Sequence, residues 1–332
     1  MVVLHWSERT EGRDDVHACL AGEATRSCGS TRSTAASGPS VLWSRPRPTL
    51  ADLLWPRPSG GVQIVACRPA YLAPLGWLAL QAAALWPHGL WLLRRVQDGS
   101  DDPLGLAALA MLALLLWRAA PSLRVAPHTG WLALAAALTA GATLALAFAP
   151  ALLCAALAAL ALAAGGIAWL PARAPRLPIA GLLLLALPLV SSLQYYGGYP
   201  LRLLTAELSA WVLQGAGFTA QRSGALMVVN GQLVIVDAPC SGVQMVWMAY
   251  FCACSVAALT GLRDARFALR LPVVGVAVGV GNVLRNSVLV ALESRPQGLS
   301  EALHESIGVG VLALVCGAVV MWMHGGRDAP AR

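Results

Sequence analysis

Asn230-Gly231-Gln232-Leu233-Val234-Ile235-Val236-Asp237-Ala238-Pro239-Cys240-Ser241-Gly242-Val243-Gln244-Met245-Val246-Trp247 is the stretch on which the fold turns. Asn-Gly is a two-residue turn in which both members take positive φ. Set between the β-branched runs at 225–229 and 232–236, it predicts a hairpin. After Asp237 no charged residue appears until Arg263. Residues 238–262 are therefore long enough to cross a bilayer core of ~30 Å as a helix. A soluble-looking hairpin runs straight into a membrane span, and Cys240 falls at the junction.

The rest of the chain is built for the same environment. Of its 332 residues 58% are hydrophobic and 12% charged, which excludes an ordinary soluble domain. The net charge of +7 comes from Arg alone, since the chain has no Lys. These Arg residues are scattered through loops without a basic stripe, so no nucleic-acid partner is expected. Eight Cys are present, but no CxxC pair or His/Cys ligand spacing, so neither a disulfide framework nor a metal site is supported. No cofactor is implied.

Residues 1–68 are rich in Arg, Ser, Pro and Gly and show no apolar periodicity. They read as a disordered tail or the product of a misplaced start, with no apolar run typical of a signal peptide. Residues 69–324 carry the spans and 325–332 a short cytoplasmic tail. Stretches without Arg, Asp or Glu mark the spans: 69–93, 103–117, two within 125–172 that turn at Ala149-Pro150, 177–195, 238–262 and 271–292 (Arg285 apart). The last, 304–324, carries one acidic residue near its start. The expected fold is an all-α polytopic membrane protein of about eight transmembrane helices. A small extracytoplasmic amphipathic helix and a β-hairpin precede the sixth.

Orientation follows the Arg residues. With the N-terminus inside, inner loops hold nine (Arg118, Arg124, Arg173, Arg176, Arg263, Arg266, Arg270, Arg327, Arg332) and outer loops five (Arg94, Arg95, Arg202, Arg222, Arg295). Both chain ends then lie in the cytoplasm, and the segment 196–239 lies outside. Within it, Pro200 fits the first turn of a helix on which Leu201, Leu204, Leu208, Trp211 and Val212 share a face, ending at Gly215 or Gly217. Such a helix would lie along the outer interface.

Three residues are then expected at the outer face. Cys240 begins the sixth helix, where unpaired N–H groups and the helix dipole favour a thiolate nucleophile. Ser241-Gly242 behind it permits close backbone approach. Arg285, in Gly281-Asn282-Val283-Leu284-Arg285-Asn286, stands seven residues before the outer end of the seventh span. An intramembrane Arg is costly unless it faces the bundle interior or snorkels, and Asn282 one turn below could share its hydrogen bonding. His304 opens the eighth span in Leu303-His304-Glu305-Ser306-Ile307-Gly308, where an imidazole can serve as general acid or base. Cys154, Cys252, Cys254 and Cys316 read as small apolar residues. Of the other His residues, only His88 lies near enough to the outer end to approach the three.

Cys240 in Cys-Ser-Gly, Arg285 in Asn-x-x-Arg and His304 in His-x-x-x-Gly, in this order and after a hairpin, resemble the exosortase/archaeosortase family over residues 70–324. Pro239 departs from the small residue found there in many members, and Trp86-Pro87-His88-Gly89 matches the family's His-Gly only loosely, as in a divergent bacterial subgroup. The resemblance implies a membrane cysteine protease or transpeptidase of the inner membrane, with its active site on the periplasmic face. Its partners would be exported, membrane-anchored proteins whose C-terminal sorting signal comprises a short motif, a membrane helix and a basic tail. An acceptor amine, glycan or lipid could resolve the thioester. Cys240 would be the nucleophile, His304 the acid/base and Arg285 the stabiliser of the anionic intermediate.

The rival from another class is a polytopic transporter or a membrane scaffold without catalysis. Transporters are expected to show internal repeats or broken helices around a midplane site. No repeat is visible, and the candidates gather at one face. Gly275, Gly279 and Gly281 read as packing positions instead of a filter. An S-acylated protein could explain Cys240, although such sites usually face the cytoplasm.

Overall fold

The computed structural model describes residues 72–97, 103–235, 241–295 and 299–325, all within the unit Cys67–Arg332. The expected tails at 1–68 and after Gly325 lie outside the described residues, as does Cys240. In chain order the helices are α1 (Leu72–Ala84), α2 (Trp86–Gln97), α3 (Leu104–Ala119), α4 (Thr129–Ala145), α5 (Ala151–Ile167), α6 (Leu177–Leu185) and α7 (Val190–Gly215). Three strands follow, β1 (Ala220–Ser223), β2 (Leu226–Val229) and β3 (Gln232–Ile235). The chain closes with α8 (Val243–Thr260), α9 (Asp264–Glu293) and α10 (Glu301–His324).

Among the described residues, α3 with its 3-10 extension to Ser122, α8, α9 and α10 are each long and apolar enough to cross a membrane. The bent pair α6–α7 makes a fifth candidate. The apolar helices α4 and α5 have 17 residues each and fall short of that length. The count therefore stands at four to five against the eight read from charge-free runs.

Two of those runs are interrupted by proline. From Leu72 onward the first run forms two helices that meet at Leu85, whose carbonyl accepts His88 N at 3.0 Å while Pro87 occupies the second position of α2. Proline is tolerated in a first turn because its missing N–H would be unpaired there anyway. Similarly α6 stops at Leu185, and the axis turns by 90° before α7. Pro188 lies in the break, where it offers no N–H and disfavours helical geometry at Leu187. Pro200, expected to open the outer helix, instead sits inside α7, which begins ten residues earlier.

α8 is the central helix. Some 44% of its apolar stretch is buried, against 28% for α9, 17% for α10 and 6% for α3. Ala249, Ala253 and Ala257, one turn apart, are completely buried against Leu182 of α6, Val274 and Val278 of α9, and Val315 and Val319 of α10. Small residues let helix backbones approach closely where lipid offers no hydrophobic drive for association. A side chain at Gly181 would meet Cys254 Sγ at 2.8 Å, and one at Gly275 would meet the Tyr250 hydroxyl at 3.2 Å. Gly281 packs against the side chain of Val315, whereas Gly279 faces open space and is no packing position.

Caps close α8 and tie the start of α9 to the start of α6. α8 ends at Gly261 (φ 67°), after which Leu262 N returns to Ala257 O at 3.0 Å. The next helix opens on Asp264, whose carboxylate accepts the N–H groups of Arg176 (2.8 Å) and Leu177 (2.9 Å) at the start of α6. One side chain thus satisfies donors left open at another helix's N-terminus.

The hairpin forms where Asn-Gly placed it, with Val229 opposite Gln232 and Leu226 opposite Ile235. Asn230 (φ 50°) and Gly231 (φ 81°) both take positive φ. A third strand, β1, extends it to an antiparallel meander in the order β1-β2-β3. Met227 and Val229 bury one face against Ala206, Ala210 and Leu213 of α7 and Val290 of α9.

Candidate functional site

The site is built where the N-terminus of α8 meets α7 and α9. Gly242 precedes α8 with φ 78°, a conformation that L side chains rarely adopt. A Cβ there would also lie 2.8 Å from Asn282 Cγ. Ser241, 4% exposed, donates its hydroxyl to Gln194 Oε1 at 2.7 Å and accepts Val243 N at 3.4 Å. The turn that delivers α8 is therefore held from both sides, by Gln194 of α7 and by the close fit of Asn282 of α9.

Two buried hydrogen bonds fasten α9 to α7. Asn282 Nδ2 donates to Thr205 Oγ1 at 3.1 Å, and Asn286 Nδ2 donates to Ser209 Oγ at 2.9 Å. Ser209 Oγ in turn donates to Val283 O at 3.3 Å. Each helix contributes residues at i and i+4, so the pairs stack one turn apart on facing surfaces. The four side chains are at most 5% exposed.

Arg285, three residues after Asn282 and half-buried, turns its guanidinium toward α10. A Cβ at Gly308 would lie 3.2 Å from Arg285 Nε and 3.4 Å from Nη2. Gly308 is therefore the gap in α10 that admits the guanidinium. His304 lies one turn earlier on the same face of that helix. Two of the three candidates, Arg285 and His304, are thus brought to adjacent turns of one helix–helix contact.

His304 also lines a cavity of about 530 Å³ between β3, the end of α9 and the start of α10. Leu233 and Val234 form its strand wall, Asn286 and Leu289 its α9 wall, and Glu293, Glu301 and Glu305 bring carboxylates to it. The hairpin therefore faces the His304 side of the site. Cys240 precedes Ser241 in the chain and lies outside the described residues.

His88 is buried in α2, which packs through Trp91 on Ala155 and Ala159 of α5. It does not line the cavity that His304 lines. Cys154 and Cys254 are buried and Cys252 and Cys316 half-buried within helices, as suits small apolar residues. Among the described residues no group of three His, Cys, Asp or Glu side chains could hold a metal ion.

Thr205, Ser209, Asn286 and Gln194 are not among the residues expected at the site from sequence. A signal was present: two polar residues four apart in each of two otherwise apolar helices (Thr205 and Ser209, Asn282 and Asn286) mark faces that must find each other in lipid.

The sequence profile of the transmembrane exosortase family matches residues 94–322, which spans α3 to α10 and the whole site. Comparison with curated proteins and with solved structures gives no match. Apolar helices and family together make this a multi-pass membrane protein, and the chain belongs to the transmembrane exosortase family.

Proposed function

We propose that the protein is a membrane-embedded cysteine transpeptidase or protease that processes the C-terminal sorting signals of exported proteins. The observation that carries this reading is the contact of Arg285 with Gly308, one turn from His304, on the two helices that follow α8. A cation and an imidazole on the two helices after α8, with the Cys240 thiol ahead of α8 in the chain, are the groups that acyl transfer requires.

In this mechanism the substrate's own membrane helix docks beside α8, α9 and α10, and tethering in one bilayer supplies proximity. The Cys240 thiolate attacks the carbonyl carbon of the scissile peptide, and the carbonyl π electrons move to oxygen. Arg285 stabilises that oxyanion. When the tetrahedral intermediate collapses, the C–N bond breaks and His304 protonates the leaving amine. A thioester on Cys240 remains, and the departing segment carries the membrane helix and basic tail. Attack by an amine acceptor completes a transpeptidation, and attack by water completes a hydrolysis. The buried Asn–hydroxyl pairs fasten to α7 the helix that carries Arg285.

The site would lie on the periplasmic face of the inner membrane, reached by substrates after export. The test is to replace Cys240 and His304 singly by Ala in the native host, and to measure the masses of proteins bearing helix-plus-basic-tail signals. Accumulation of full-length precursors is expected in both strains. Unchanged processing in both would sink the proposal.

A further inference from the structure

A second cavity lies at the other end of the bundle, about 420 Å³ in volume, between α1, α3, α5, α6 and α8. That is within the range of roughly 300–1,000 Å³ typical of small-molecule sites. Its walls are apolar, with Leu115 of α3, Leu162 and Gly166 of α5, Ile179 of α6 and Leu259 of α8. The charged residue that lines it is Arg118, at the end of α3.

This end of the molecule is strongly positive. Loop contacts gather it into one place: Arg124 N donates to Trp169 O at 2.9 Å, Arg176 N to Asp264 at 2.8 Å, and Arg270 Nη1 to Trp322 O at 2.9 Å. Among the described residues it carries Arg118, Arg124, Arg173, Arg176, Arg263, Arg266 and Arg270 against Asp264 alone. Ala174 and Pro175 line the cavity between Arg173 and Arg176 in the chain. The opposite end sets four Glu (Glu207, Glu293, Glu301, Glu305) beside its Arg residues.

We propose that this cavity is a binding site for one anionic phospholipid, with an acyl chain in the apolar trough and the phosphate at Arg118. An apolar slot in a multi-pass membrane protein that opens at a cluster of cations fits an amphiphile with a negative head. Basic pockets between transmembrane helices bind acidic headgroups in this way. A zwitterionic lipid would fill the trough equally but gain less from the surrounding charge. The site is separate from the one described above, and its occupancy does not depend on the activity assigned there.

The full-length chain, reconstituted in nanodiscs holding equal phosphatidylglycerol and phosphatidylethanolamine and then released for native mass spectrometry, provides the test. The wild type is expected to retain one phosphatidylglycerol in preference to phosphatidylethanolamine. Arg118→Gln should lower that preference about fivefold, corresponding to about 1 kcal/mol for one basic residue near a charged surface. Gly166→Leu should abolish retention of both lipids, because a Cβ at Gly166 meets nothing within 4 Å and the longer side chain can enter the trough. Arg124→Gln, exposed and outside the cavity lining, should lower the preference less than Arg118→Gln does, and a larger loss from Arg124→Gln would overturn the placing of the phosphate at Arg118. Equal retention of the two lipids by the wild type would overturn the proposal, and so would a protein chain retained in place of lipid. Retention of phosphatidylglycerol by a folded Gly166→Leu protein would do the same. Should that variant fail to fold, an unchanged preference in Arg118→Gln is the overturning result.

Discussion

At the residue scale the site depends on two glycines, one for the space it leaves and one for its backbone conformation as well. Gly308 leaves the space that Arg285 fills. Gly308→Ala asks the guanidinium to give by a few tenths of an ångström, whereas Gly308→Val adds two methyl groups on the same side. Processing of tailed substrates is therefore expected to fall only slightly in Gly308→Ala and by an order of magnitude or more in Gly308→Val, with similar thermal melting of both in detergent. Equal activity of Val and wild type would show that Arg285 need not lie there. Gly242 carries two demands at once, a φ of 78° and the Asn282 amide against its Cα. Gly242→Ala should cost about 1–3 kcal/mol, the usual price of a left-handed non-glycine residue, read as a lowered melting temperature. The Cys-Ser-Gly and His-x-x-x-Gly patterns were visible in the sequence, but the partner of each glycine was not. A glycine's neighbour belongs to another helix, and no local spacing encodes it.

At the element scale the legible features were those with a local cause. Asn230-Gly231 specifies its turn by backbone preference alone, and the hairpin appears in the expected register. Strand β1 gave no such signal, because Ala220-Gln221-Arg222-Ser223 contains no β-branched residue. It is held by tertiary contacts: Arg222 pairs with Glu207 of α7, and Thr219 donates from its N and Oγ1 to Asn230 Oδ1 at 3.2 and 3.1 Å. The same reasoning explains α7. Gly197, Gly198 and Pro200 look like punctuation, yet the helix runs through them, with Thr205, Ala206, Ser209, Ala210 and Leu213 buried on one face. Leu204 and Trp211 on the expected apolar face are 55% and 60% exposed, as suits lipid contact. The staple between α7 and α9 can be measured. A double-mutant cycle of Asn286→Ala and Ser209→Ala should give a coupling of about 0.6 kcal/mol, with about 1.7 kcal/mol as the ceiling for such bonds in membranes. Strict additivity of the two losses would mean that the bond does not fasten the helices.

At the scale of the whole molecule the two ends differ in charge, and that difference predicts how the chain crosses the membrane. Seven Arg and one Asp gather at the end that carries the starts of α4, α6 and α9 and the end of α10, whereas the hairpin end mixes Arg with four Glu. Short loops rich in Arg stay on the cytoplasmic side, and acidic residues contribute little to that choice. The gathering of loop Arg residues at one end was readable in the sequence, because it follows from the alternation of span direction and not from packing. The number of crossings was less readable. Charge-free length does not distinguish one span from two helices meeting at Leu85, or a straight span from one that turns by 90° at Pro188. The orientation predicts opposite labelling of Ser223→Cys in the meander and Ala172→Cys in the Arg-rich loop, both exposed positions. In a background with Cys19, Cys28, Cys67 and Cys240 replaced by Ala, a membrane-impermeant maleimide should modify Ser223→Cys in cells whose outer membrane alone is opened. Ala172→Cys should react only once the inner membrane is permeabilised. The reverse pattern would put the His304 cavity in the cytoplasm, out of reach of the exported substrates proposed for it. Modification of both from the same side would mean that the helices between them, α6 and α7, return the chain without crossing.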